Sequence, residues 1–544
     1  MPTDEMPLPV TLNSESVTEL SEFRPSSTKE VGEIIHNMTI KTSPADPIPA
    51  SVYKHVVEDL IPHITILVNK SLATGSVEGI KESIISPGIK KYILDHDDNK
   101  SYRPISNIEF ISKIIEKVVS IRLNEHMNIN NLHTPEQFAY KKQHSTEHLV
   151  LQIVDEVLIG FEKGSATIVV LLDLSAAFDT VNLEKLMNIL EYEIHIKGTA
   201  LKWFKSFLFG RSQKVIIGSS FSDVLLTLYG VPQGSVLGPV LFNIYIRNLP
   251  KYIESFCFLS SSYADDSNAR LQFSLNFQYY NISQRVPQLL QNISSWMNQH
   301  FLKINPDKTE IILFTPNQSS KINGLFLEDR TCLRFSNCVK LLGVNLDESL
   351  SFDKQVNEVV ASGYFHIRTI GKLKSYMSKE DLESYVHSII SSKLDYCNVV
   401  LYGINKSVLY KLQKLQNAAA RLILKLPKHC SVSEEIRKLH WLRVEERILF
   451  KIILVVYKFF TKNGPAYLDE ILEIADIETR LLARKNFVTK YGRRSFRYVA
   501  PHLWNRLPVD VRTMNCDKSF KKKLKYILFN NINNIIGSVD FYRN

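Results

Sequence analysis

Three aspartates that adjoin apolar segments are the residues of this sequence best suited to chemistry. Asp173 follows the β-branched run 166–172, and Asp265 and Asp266 stand together after the apolar segment 256–259. A carboxylate beside buried apolar residues is costly unless a cation or hydrogen-bond donors meet it. Oxygen ligands without His or Cys are the set that Mg²⁺ prefers, and two such ions about 3.5–4 Å apart stabilise the attacking and leaving oxygens of a phosphoryl transfer. The three acids therefore indicate metal-assisted chemistry on a phosphate group.

Each acid also has a simpler explanation. A lone Asp at the end of a strand is more often a helix cap or a turn residue, and two adjacent Asp are common in type I turns on protein surfaces. The apolar residues 256–259 favour the functional interpretation, because they indicate that a buried element carries the turn. Since Asp173 and Asp265 are far apart in the chain, only the tertiary structure could bring them together.

The elements that would position these acids are short strands set among helices. The predicted strands cover 166–172, 214–217, 224–228, 256–262, 269–273 and 311–314. The second and third strands, and the fourth and fifth, are predicted to form hairpins. A helix is predicted to begin near Leu183 after the N-cap Asn182, and a longer one to cover 236–252. Strands and helices mixed in this way indicate an α/β or α+β core.

Helical periodicity dominates the rest of the chain. The predicted helical segments are 28–72 with a break at the Pro-containing turn 43–49, 105–126, 352–374, 379–396, 406–426 and 432–460. The apolar positions of the first segment are Val31, Ile34, Ile35, Val52, Val56, Leu60, Ile64 and Leu67. The expected organisation is a loose tail at 1–27, a helical extension at 28–74, a mixed region at 75–347, a helical bundle at 348–430 and a C-terminal region at 431–544.

The composition excludes several classes of protein. With 44% hydrophobic and 22% charged residues over 544 positions, the chain can bury more than one core and is neither a disordered chain nor a mini-protein. The six Cys include no C-x-x-C pair, which argues against a disulfide framework and a structural zinc site. The sequence shows neither a leader peptide nor the roughly 18 apolar residues in a row that a membrane span requires. We therefore expect no membrane insertion and an intracellular protein.

Positive charge is concentrated near the C-terminal end. The formal net charge is +10, and residues 480–530 alone contain 14 Lys and Arg against 2 Asp and Glu. Such a dense local charge favours binding of a polyanion, although a run of charge is often only a solvated face. Aromatic residues that could stack on bases are interleaved with the basic ones. They are Phe487, Tyr491, Phe496, Tyr498 and Trp504.

Short motifs around the acids occur in a fixed order along the chain. They are Leu171-Leu-Asp-Leu-Ser-Ala-Ala-Phe-Asp179, Gly230-Val-Pro-Gln-Gly-Ser-Val-Leu-Gly-Pro239 and Tyr263-Ala-Asp-Asp266. In this order they resemble motifs A, B and C of reverse transcriptases. Further similar segments are 101–106, 111–122, 136–138, 144–146, 302–310, 342–347, 394–398, 416–421 and 500–508. Together they resemble the enzymes of non-long-terminal-repeat (non-LTR), LINE-type retrotransposons, above all the jockey-like group, over about residues 28–530.

The resemblance implies a fold and an activity. The fold would be the α+β right-hand polymerase fold, with fingers and palm at 75–347, a helical thumb at 348–430 and a helical, basic C-terminal extension at 431–544. The activity would be RNA-directed DNA polymerisation, in which a DNA primer 3′-hydroxyl is extended with dNTPs by two Mg²⁺ ions, or by Mn²⁺ as a substitute. The implied partners are an RNA template, a DNA primer or target DNA, and dNTPs. The expected location is the nucleus and cytoplasm, and the sequence does not indicate an oligomeric state.

The resemblance also implies a catalytic set. In such polymerases the acids of motifs A and C hold the metal ions, which gives this role to Asp173, Asp265 and Asp266. The backbone carbonyl of Leu174 would complete a metal shell. Lys308 would lie close enough to assist the leaving pyrophosphate.

Six residues would contact substrate by the same resemblance: Arg103, Lys141, Phe178, Gln233, Gly234 and Tyr263. Arg103 and Lys141 would meet the triphosphate. Phe178 would lie under the sugar and leave no space for a 2′-hydroxyl, while Gln233 and Gly234 would supply an amide and a close backbone approach near the nucleotide and template. These roles rest on the resemblance, because an isolated Arg or Lys is usually a solvated surface residue and Phe178 could be a plain core aromatic.

One loop departs from the family pattern. The family usually has Gly and Arg in the segment that is 138–144 here, whereas this sequence has no Gly there and has Lys141 in place of Arg. Lys lacks the bidentate geometry of Arg, and a loop without Gly is stiffer. We therefore hypothesise a lowered affinity for the nucleotide, which KM for dNTP in a Lys141→Arg, Gln143→Gly variant would test.

Two alternatives from other classes remain open. The first is a relic or recruited RNA-binding protein with a reverse transcriptase fold, which the altered loop favours and the intact Asp173, Asp265 and Asp266 disfavour. The second is an RNA-chaperoning maturase resembling those of group II introns, which the jockey-like C-terminal half disfavours. No endonuclease segment is visible in the sequence, so nicking of a target is expected to come from another protein or an existing break.

Overall fold

The computed structural model describes residues 17–39, 43–77, 79–274, 279–316, 324–326 and 332–536. Residues 1–16 of the predicted tail lie outside the described residues. The chain folds into two compact units, each built from three segments. The first unit is Met1–Gln137, Leu174–Leu249 and Ile293–Ile304, and the second is Phe138–Asp173, Pro250–Asn292 and Asn305–Asn544.

Helices and strands are mixed along the described residues. The helices are α1 Thr28–Asn37, α2 Ala50–Thr74, α3 Phe110–Ile129, α4 Thr146–Glu162, α5 Leu183–Asn188, α6 Gly198–Leu208, α7 Gly238–Tyr245, α8 Leu249–Glu254, α9 Tyr279–Gln299, α10 Asp353–Gly371, α11 Lys379–Val386, α12 Ser392–Asp395, α13 Lys406–Ile423, α14 Ser433–Lys438, α15 Val444–Phe460, α16 Tyr467–Ile471, α17 Lys490–Arg494, α18 Phe496–Trp504, α19 Val509–Arg512 and α20 Asp517–Ile536. The strands are β1 Glu82–Ile89, β2 Tyr102–Asn107, β3 Ser165–Leu172, β4 Arg211–Ile217, β5 Ser220–Phe221, β6 Leu225–Thr227, β7 Leu259–Tyr263, β8 Asp266–Ser274, β9 Glu310–Phe314, β10 Gly324–Phe326, β11 Cys332–Arg334, β12 Cys338–Leu341, β13 Val344–Asp347, β14 Ile474–Asp476 and β15 Leu481–Leu482. This is an α+β fold, as the sequence predicts.

The first unit contains a five-stranded sheet. Its order is β2-β1-β4, and both β5 and β6 pair with β4. Strand β1 runs antiparallel to β2 and parallel to β4, so that Ile85 lies between Ser106 and Val215. The hairpin predicted from 214–217 and 224–228 is confirmed only in part, because β6 pairs with residues 211–213, whereas Ile216 and Ile217 pair with the unpredicted strand β5.

Helices α1 and α2 confirm the predicted helical extension and its break at the Pro-containing turn. The buried stripe of α2 differs from the predicted one, because Val52 and Leu67 are exposed. The stripe consists of Tyr53, Ile61, Ile64, Val68 and Leu72. Helix α2 buries the face that packs on α6. Trp203 of α6 is buried and donates its indole N–H to the Ser71 hydroxyl of α2 at 3.0 Å. Hydrophobic spacing alone does not contain that partner.

Two predicted helices differ from the structure. Segment 105–126 begins as a strand, in which Ile105 pairs with Ser86, and the helix starts only at Phe110. The segment 236–252 contains two short helices, α7 and α8, instead of one long helix. Short apolar runs fit both helical and strand periods, which explains the first error.

The second unit is built around a four-stranded antiparallel sheet of order β7-β8-β3-β9. These strands confirm the predicted strands at 166–172, 269–273 and 311–314. The strand predicted at 256–262 begins only at Leu259, because residues 255–257 form a turn, and Cys257 and Leu259 of its apolar segment are exposed. Helix α4 begins after Ser145, whose hydroxyl accepts a hydrogen bond from the His148 N–H at 3.4 Å. The buried side chains of α4, among them Leu149 and Val157, join Val169 of β3 in one apolar core.

Helices α10 to α15 confirm that the chain after residue 347 is mainly helical, but the predicted segment 432–460 is interrupted at 439–443, between α14 and α15. Their buried residues, such as Val356, Leu382 and Leu412, belong to the same core as helix α4. Helices α17 and α18 pack on α4, so the C-terminal region is part of the second unit. Among the helices in the described part of the chain, none is long and apolar enough to cross a membrane.

Candidate active site

Strands β7 and β8 form a tight hairpin that carries two of the predicted acids. Tyr263 pairs with Asp266, so Ala264 and Asp265 are the two residues of the turn. Ala264 has a φ of 55°, and a left-handed residue at the start of a two-residue turn matches the twist of the flanking strands. We name β7, β8 and this turn the acidic hairpin. Its turn places Asp265 at the tip and Asp266 at the first position of β8.

Strand β3 brings Asp173 to the same end of the sheet. Leu172 of β3 pairs with Ser267 of β8, so the residues just beyond that pair are Asp173 on one strand and Asp266 on the other. The backbone carbonyl of Asp173 accepts a hydrogen bond from the Asn305 N–H at 2.8 Å. The structure therefore brings together the predicted metal ligands of motifs A and C, which the sequence separates widely.

Lys308 completes this group. Its ammonium lies 3.1 Å from Oδ2 of Asp173, and its side chain is 65% exposed, which leaves it accessible to an anion. The turn that contains Lys308 is fixed because the Lys308 and Thr309 N–H groups both donate to the Asn305 carbonyl. The predicted catalytic residues Asp173, Asp265, Asp266 and Lys308 thus all belong to the second unit.

Negative charge accumulates at this end of the sheet. Partial desolvation by the surrounding protein raises the pKa of Asp266 to about 6. The negative charges of Asp265 and Asp173 raise this pKa further, while the positive charge of Lys308 lowers it. Three carboxylates beside a single ammonium are a donor set that suits hard divalent cations. In the described part of the chain, however, no three His, Cys, Asp or Glu side chains are arranged as a group that could hold a metal ion. The acids share one end of the sheet without forming a closed ligand set.

The loop that departs from the family pattern lies beside the acidic hairpin. The Phe138 N–H donates to the Ser262 carbonyl at 2.9 Å. Burial raises the pKa of Tyr140, and the charges of Asp265 and Tyr263 raise it further. Tyr140 and Gln143 have φ values of 56° and 67°, in the left-handed region that favours Gly. The loop therefore keeps the backbone shape that a Gly-containing sequence would adopt without strain.

The first unit contains most of the predicted substrate-binding residues. The Phe178 ring stacks on Phe242 with centroids 4.8 Å apart. Gln233 donates from Nε2 to both carboxylate oxygens of Asp179, at 2.9 and 2.8 Å. The N–H of Val231 donates to the Phe178 carbonyl at 2.8 Å. Motifs A and B are therefore joined directly.

Gly234 is required by a close backbone approach. It has a φ of 128°, and a Cβ atom there would lie 2.5 Å from the Ser106 carbonyl oxygen. The Ser106 N–H in turn donates to the Gln233 carbonyl at 2.8 Å. Strand β2, which contains the exposed Arg103, is thus attached to motif B. Leu174 is buried and forms a bridge with Ile304.

Several residues that position the motifs were missed by the sequence analysis. Glu116 is buried, accepts hydrogen bonds from the N–H groups of Val236 at 2.7 Å and Leu237 at 3.1 Å, and burial raises its pKa. In the second unit, Arg270 and Glu156 form a buried ion pair behind the acidic hairpin. A charged Arg270 inside a predicted apolar strand was the local indication of this ion pair, and the sequence does not indicate Glu156 as its partner.

The basic segment 480–530 is only partly a free surface. Arg497 pairs with the buried Asp155 at 2.6 Å, and Arg494 donates to the Leu350 carbonyl at 2.8 Å. Phe496 and Trp504, which were predicted to stack on bases, are buried in the core. The exposed basic residues of the segment are Arg484, Lys490, Arg493, Lys518, Lys522, Lys523 and Lys525.

Comparisons with known proteins agree with the motifs. Residues 90–346 match the family described as reverse transcriptase (RNA-dependent DNA polymerase). The chain is similar to the probable RNA-directed DNA polymerase from transposon BS of Drosophila melanogaster, with 26% identity over 78% of this chain and 48% of that protein. It is also 25% identical to the RNA-directed DNA polymerase from mobile element jockey of the same species, over 73% of this chain and 44% of that protein.

A third relative is the retrovirus-related Pol polyprotein from type-1 retrotransposable element R1 of Bradysia coprophila, with 23% identity over 59% of this chain and 31% of that protein. This chain spans about half the length, or less, of the curated relatives it matches. The findings confirm the resemblance to reverse transcriptases of non-LTR retrotransposons that the motifs indicated.

Proposed function

We propose that the protein is an RNA-directed DNA polymerase of a non-LTR retrotransposon, because residues 90–346 match the reverse transcriptase family. It would extend a DNA primer 3′-hydroxyl with dNTPs on an RNA template, as in target-primed reverse transcription. One observation carries the proposal: the pairing of β3 with β8 sets Asp173 beside Asp266, next to the turn that holds Asp265. Lys308 stands within hydrogen-bond distance of Asp173 in the same group.

The carboxylates of this group would hold the divalent ions. Asp173, Asp265, Asp266 and the carbonyl of Leu174 are the proposed ligands. Bound Mg²⁺, or Mn²⁺ in its place, would favour the ionised 3′-hydroxyl and neutralise charge on the phosphates. Since the pKa of Asp266 is about 6, the group carries its full negative charge only above that pH.

In the proposed reaction the primer 3′-oxygen forms a bond to the α-phosphorus of the dNTP while the bond to pyrophosphate breaks. Lys308 would donate a hydrogen bond to the departing pyrophosphate, because its ammonium is already directed to this end of the sheet and remains exposed. To reach the pyrophosphate, the Lys308 ammonium must first leave Asp173. A cation bound to Asp173 would favour this step because it repels the ammonium.

The remaining site residues would select and align the nucleotide. Phe178, fixed by its stacking on Phe242, would close the space beside the sugar C2′ against a hydroxyl group. Gln233 and Gly234 would present a backbone surface to the base pair. The other proposed contacts are Arg103 and Lys141 to the phosphates and Tyr263 to the primer end or nucleotide.

We assign polymerase subdomains by the same argument. Fingers and palm would cover 75–347, after a tail at 1–27 and a helical extension at 28–74. The helices at 348–430 would act as the thumb, and 431–544 would contribute exposed basic residues that bind RNA or target DNA through phosphate contacts. Such a protein would work in the nucleus and cytoplasm.

Incorporation of dTTP on poly(rA)/oligo(dT) with Mg²⁺ tests the proposal. We expect activity in the wild-type protein and its loss, by at least about 10³-fold, in Asp265→Ala, because a ligand of the reacting centre is removed. Asp510→Ala, which changes an exposed aspartate far from the acids in sequence, is the matched control and should remain active. No incorporation by the wild-type protein would refute the proposed activity.

The loop at 138–144 gives one observation in favour of the second candidate, an RNA-binding protein with little synthesis. Tyr140 and Gln143 occupy left-handed conformations that Gly would adopt more readily. The second candidate is favoured if wild type and the Lys141→Arg, Gln143→Gly variant bind RNA with the same affinity and neither incorporates dTTP.

A further inference from the structure

The acidic hairpin is attached to helix α4 through a buried arginine. Arg270 of β8 donates from Nε to Oε2 of Glu156 at 2.8 Å and from Nη2 to Oε1 at 3.2 Å. Its third nitrogen, Nη1, donates to the Ser261 hydroxyl on β7 and to Oδ1 of Asn268 on β8. Arg270 is 2% exposed and Glu156 14%, so the pair is closed to bulk water. One guanidinium therefore links a helix and both strands of the hairpin.

This link reaches the turn through strand geometry. Side chains alternate along a strand, so Arg270 and Asn268 share the face of β8 on which Asp266 stands two residues further on. Asn268 also donates from Nδ2 to the Ser261 carbonyl at 2.7 Å. A shift of Arg270 would therefore move both strands that deliver Asp265 and Asp266.

Neighbouring carboxylates of α4 have a different task. Asp155, next to Glu156 in sequence, accepts from the Arg497 backbone N–H at 3.1 Å and from its side chain at 2.6 Å. Glu162 accepts from the Val488 N–H at 2.8 Å. These acids attach the C-terminal region to α4, whereas Glu156 attaches the acidic hairpin.

We propose that Arg270 and Glu156 are positioning residues, which hold Asp265 and Asp266 in the arrangement that nucleotidyl transfer needs. The inference rests on the proposed function. A buried ion pair alone is weak evidence for a gain in stability, since apolar residues of similar volume would serve as well. The planar guanidinium is needed instead because it fixes three partners on three elements at once, which neither Lys nor an apolar residue can do.

Three variants separate positioning from simple support of the fold: Glu156→Gln, Arg270→Met and the double variant. Each single variant leaves a buried charge without its partner, so its melting temperature should fall. The double variant removes both charges, so the melting temperature should return toward the wild-type value. Its kcat should nevertheless stay about 10–100-fold low, the effect typical of losing a group behind a metal ligand, with KM for dNTP unchanged within about twofold.

The pair of Arg122 and Glu30 in the first unit is a matched control. It is also bidentate, at 2.7 and 2.8 Å, and the 3% exposure of Arg122 is close to the 2% of Arg270, while Glu30 is 26% exposed against 14% for Glu156. The Glu30→Gln, Arg122→Met double variant should keep kcat within about twofold of wild type, because among the described residues Arg122 bonds only to Arg24, Ser26 and Glu30 of the first unit and shares no partner with the acidic hairpin. An equal loss of kcat in this control, or recovery of kcat together with melting temperature in the Glu156, Arg270 double variant, would overturn the inference.

Hydrogen exchange gives a readout that does not depend on polymerisation. Amides of β7 and β8 should exchange faster in the Glu156, Arg270 double variant than in wild type, while those of α3 stay protected. Unchanged exchange in β7 and β8 would also overturn the inference. If the wild-type protein incorporates no dNTP, the proposed function fails, and the exchange result still decides whether the pair holds the hairpin.

Discussion

Two hairpins of this protein have opposite relations between polarity and burial. In the acidic hairpin of the second unit, the buried side chains of the turn-proximal strands include Ser261, Ser262, Asn268 and Arg270. In the hairpin formed by β4, β5 and β6 of the first unit, which we name the apolar hairpin, large apolar side chains are exposed. They include Ile217, Phe221, Leu225, Leu226 and Leu228.

The difference shows that the burial of a side chain in these two hairpins depends more on whether it has a specific contact partner than on how hydrophobic it is. Each buried polar group named in the acidic hairpin has a hydrogen-bond partner, and such networks fix one geometry because an unsatisfied group is costly. In the apolar hairpin, by contrast, Ile217, Leu225 and Leu226 remain exposed, and Phe221 has the Lys214 ammonium 5.3 Å from its ring centroid. We expect substitutions to have opposite effects in the two hairpins, and the following predictions test this from the largest effect to the smallest.

Asn268→Leu should be the most damaging change, although it makes the strand more hydrophobic. Asn268 is 1% exposed, and its replacement removes two buried hydrogen bonds, from its Nδ2 to the Ser261 carbonyl and from Nη1 of Arg270 to its Oδ1. We expect the free energy of unfolding to fall by about 1–3 kcal/mol, measured by urea denaturation. The exposed Asn99→Leu in the first unit serves as the control. An unchanged midpoint would contradict the role assigned to the polar network.

The acidic hairpin also shows what sequence could and could not predict. Local signals sufficed for β3, for the turn at Ala264 and Asp265, and for the N-cap Asn182, which accepts from the Lys185 N–H at 2.8 Å. These features depend on residues close in sequence. The pair of Arg270 with Glu156 depends on residues more than a hundred positions apart, so no local pattern contains it.

The same limit explains the errors. Ile105 has an apolar spacing that fits a helix, but its pairing with Ser86 makes it part of a strand. Asp173 follows β3 and Asp266 begins β8, so the pairing of these two strands sets the two acids beside each other, and their catalytic role stays a prediction. The motifs, and not periodicity, carried the functional prediction.

Asp266 makes the stability of the second unit depend on pH. Its pKa of about 6 lies above the ordinary value of 3.8, so the folded state binds the proton more tightly than the unfolded chain. The stabilisation is therefore complete below about pH 3.8 and is lost as the pH rises through about 6. Without divalent cations, Asp266→Asn should melt higher than wild type at pH 7, and the difference in melting temperature should shrink toward pH 4.

Thermal melts at several pH values between 4 and 7 measure this difference, and Asp223→Asn in the apolar hairpin is the control. Asp223 is exposed and lies outside the acidic hairpin, so its variant shows the effect of removing a surface carboxylate at each pH. Parallel pH profiles of wild type and Asp266→Asn would show that the three acids do not interact.

The turns of the two hairpins differ as well. Gly218, in the turn between the paired Ile217 and Ser220, has a φ of 61°, where the acidic hairpin has Ala264 at 55°. A Cβ at Gly218 would contact nothing within 4 Å, so Gly218→Ala tests the backbone preference alone. We expect a loss of about 1 kcal/mol in unfolding free energy, since an L-residue disfavours the left-handed region. Ser219→Ala is the control, and a Gly218→Ala protein of wild-type stability would show that the turn changes its conformation.

Leu226→Asn should have the smallest effect and is the mirror image of Asn268→Leu. Leu226 is 70% exposed, so its replacement by Asn loses almost no buried apolar contact. The free energy of unfolding should stay within about 0.5 kcal/mol of wild type by urea denaturation, with the backbone pairing to Ser212 retained. Leu172→Asn, a buried leucine of β3, is the positive control and should be strongly destabilising. A large loss of unfolding free energy in Leu226→Asn would mean that the apolar hairpin is covered in solution. Both hairpins would then bury side chains against a partner, and they would differ only in the kind of partner.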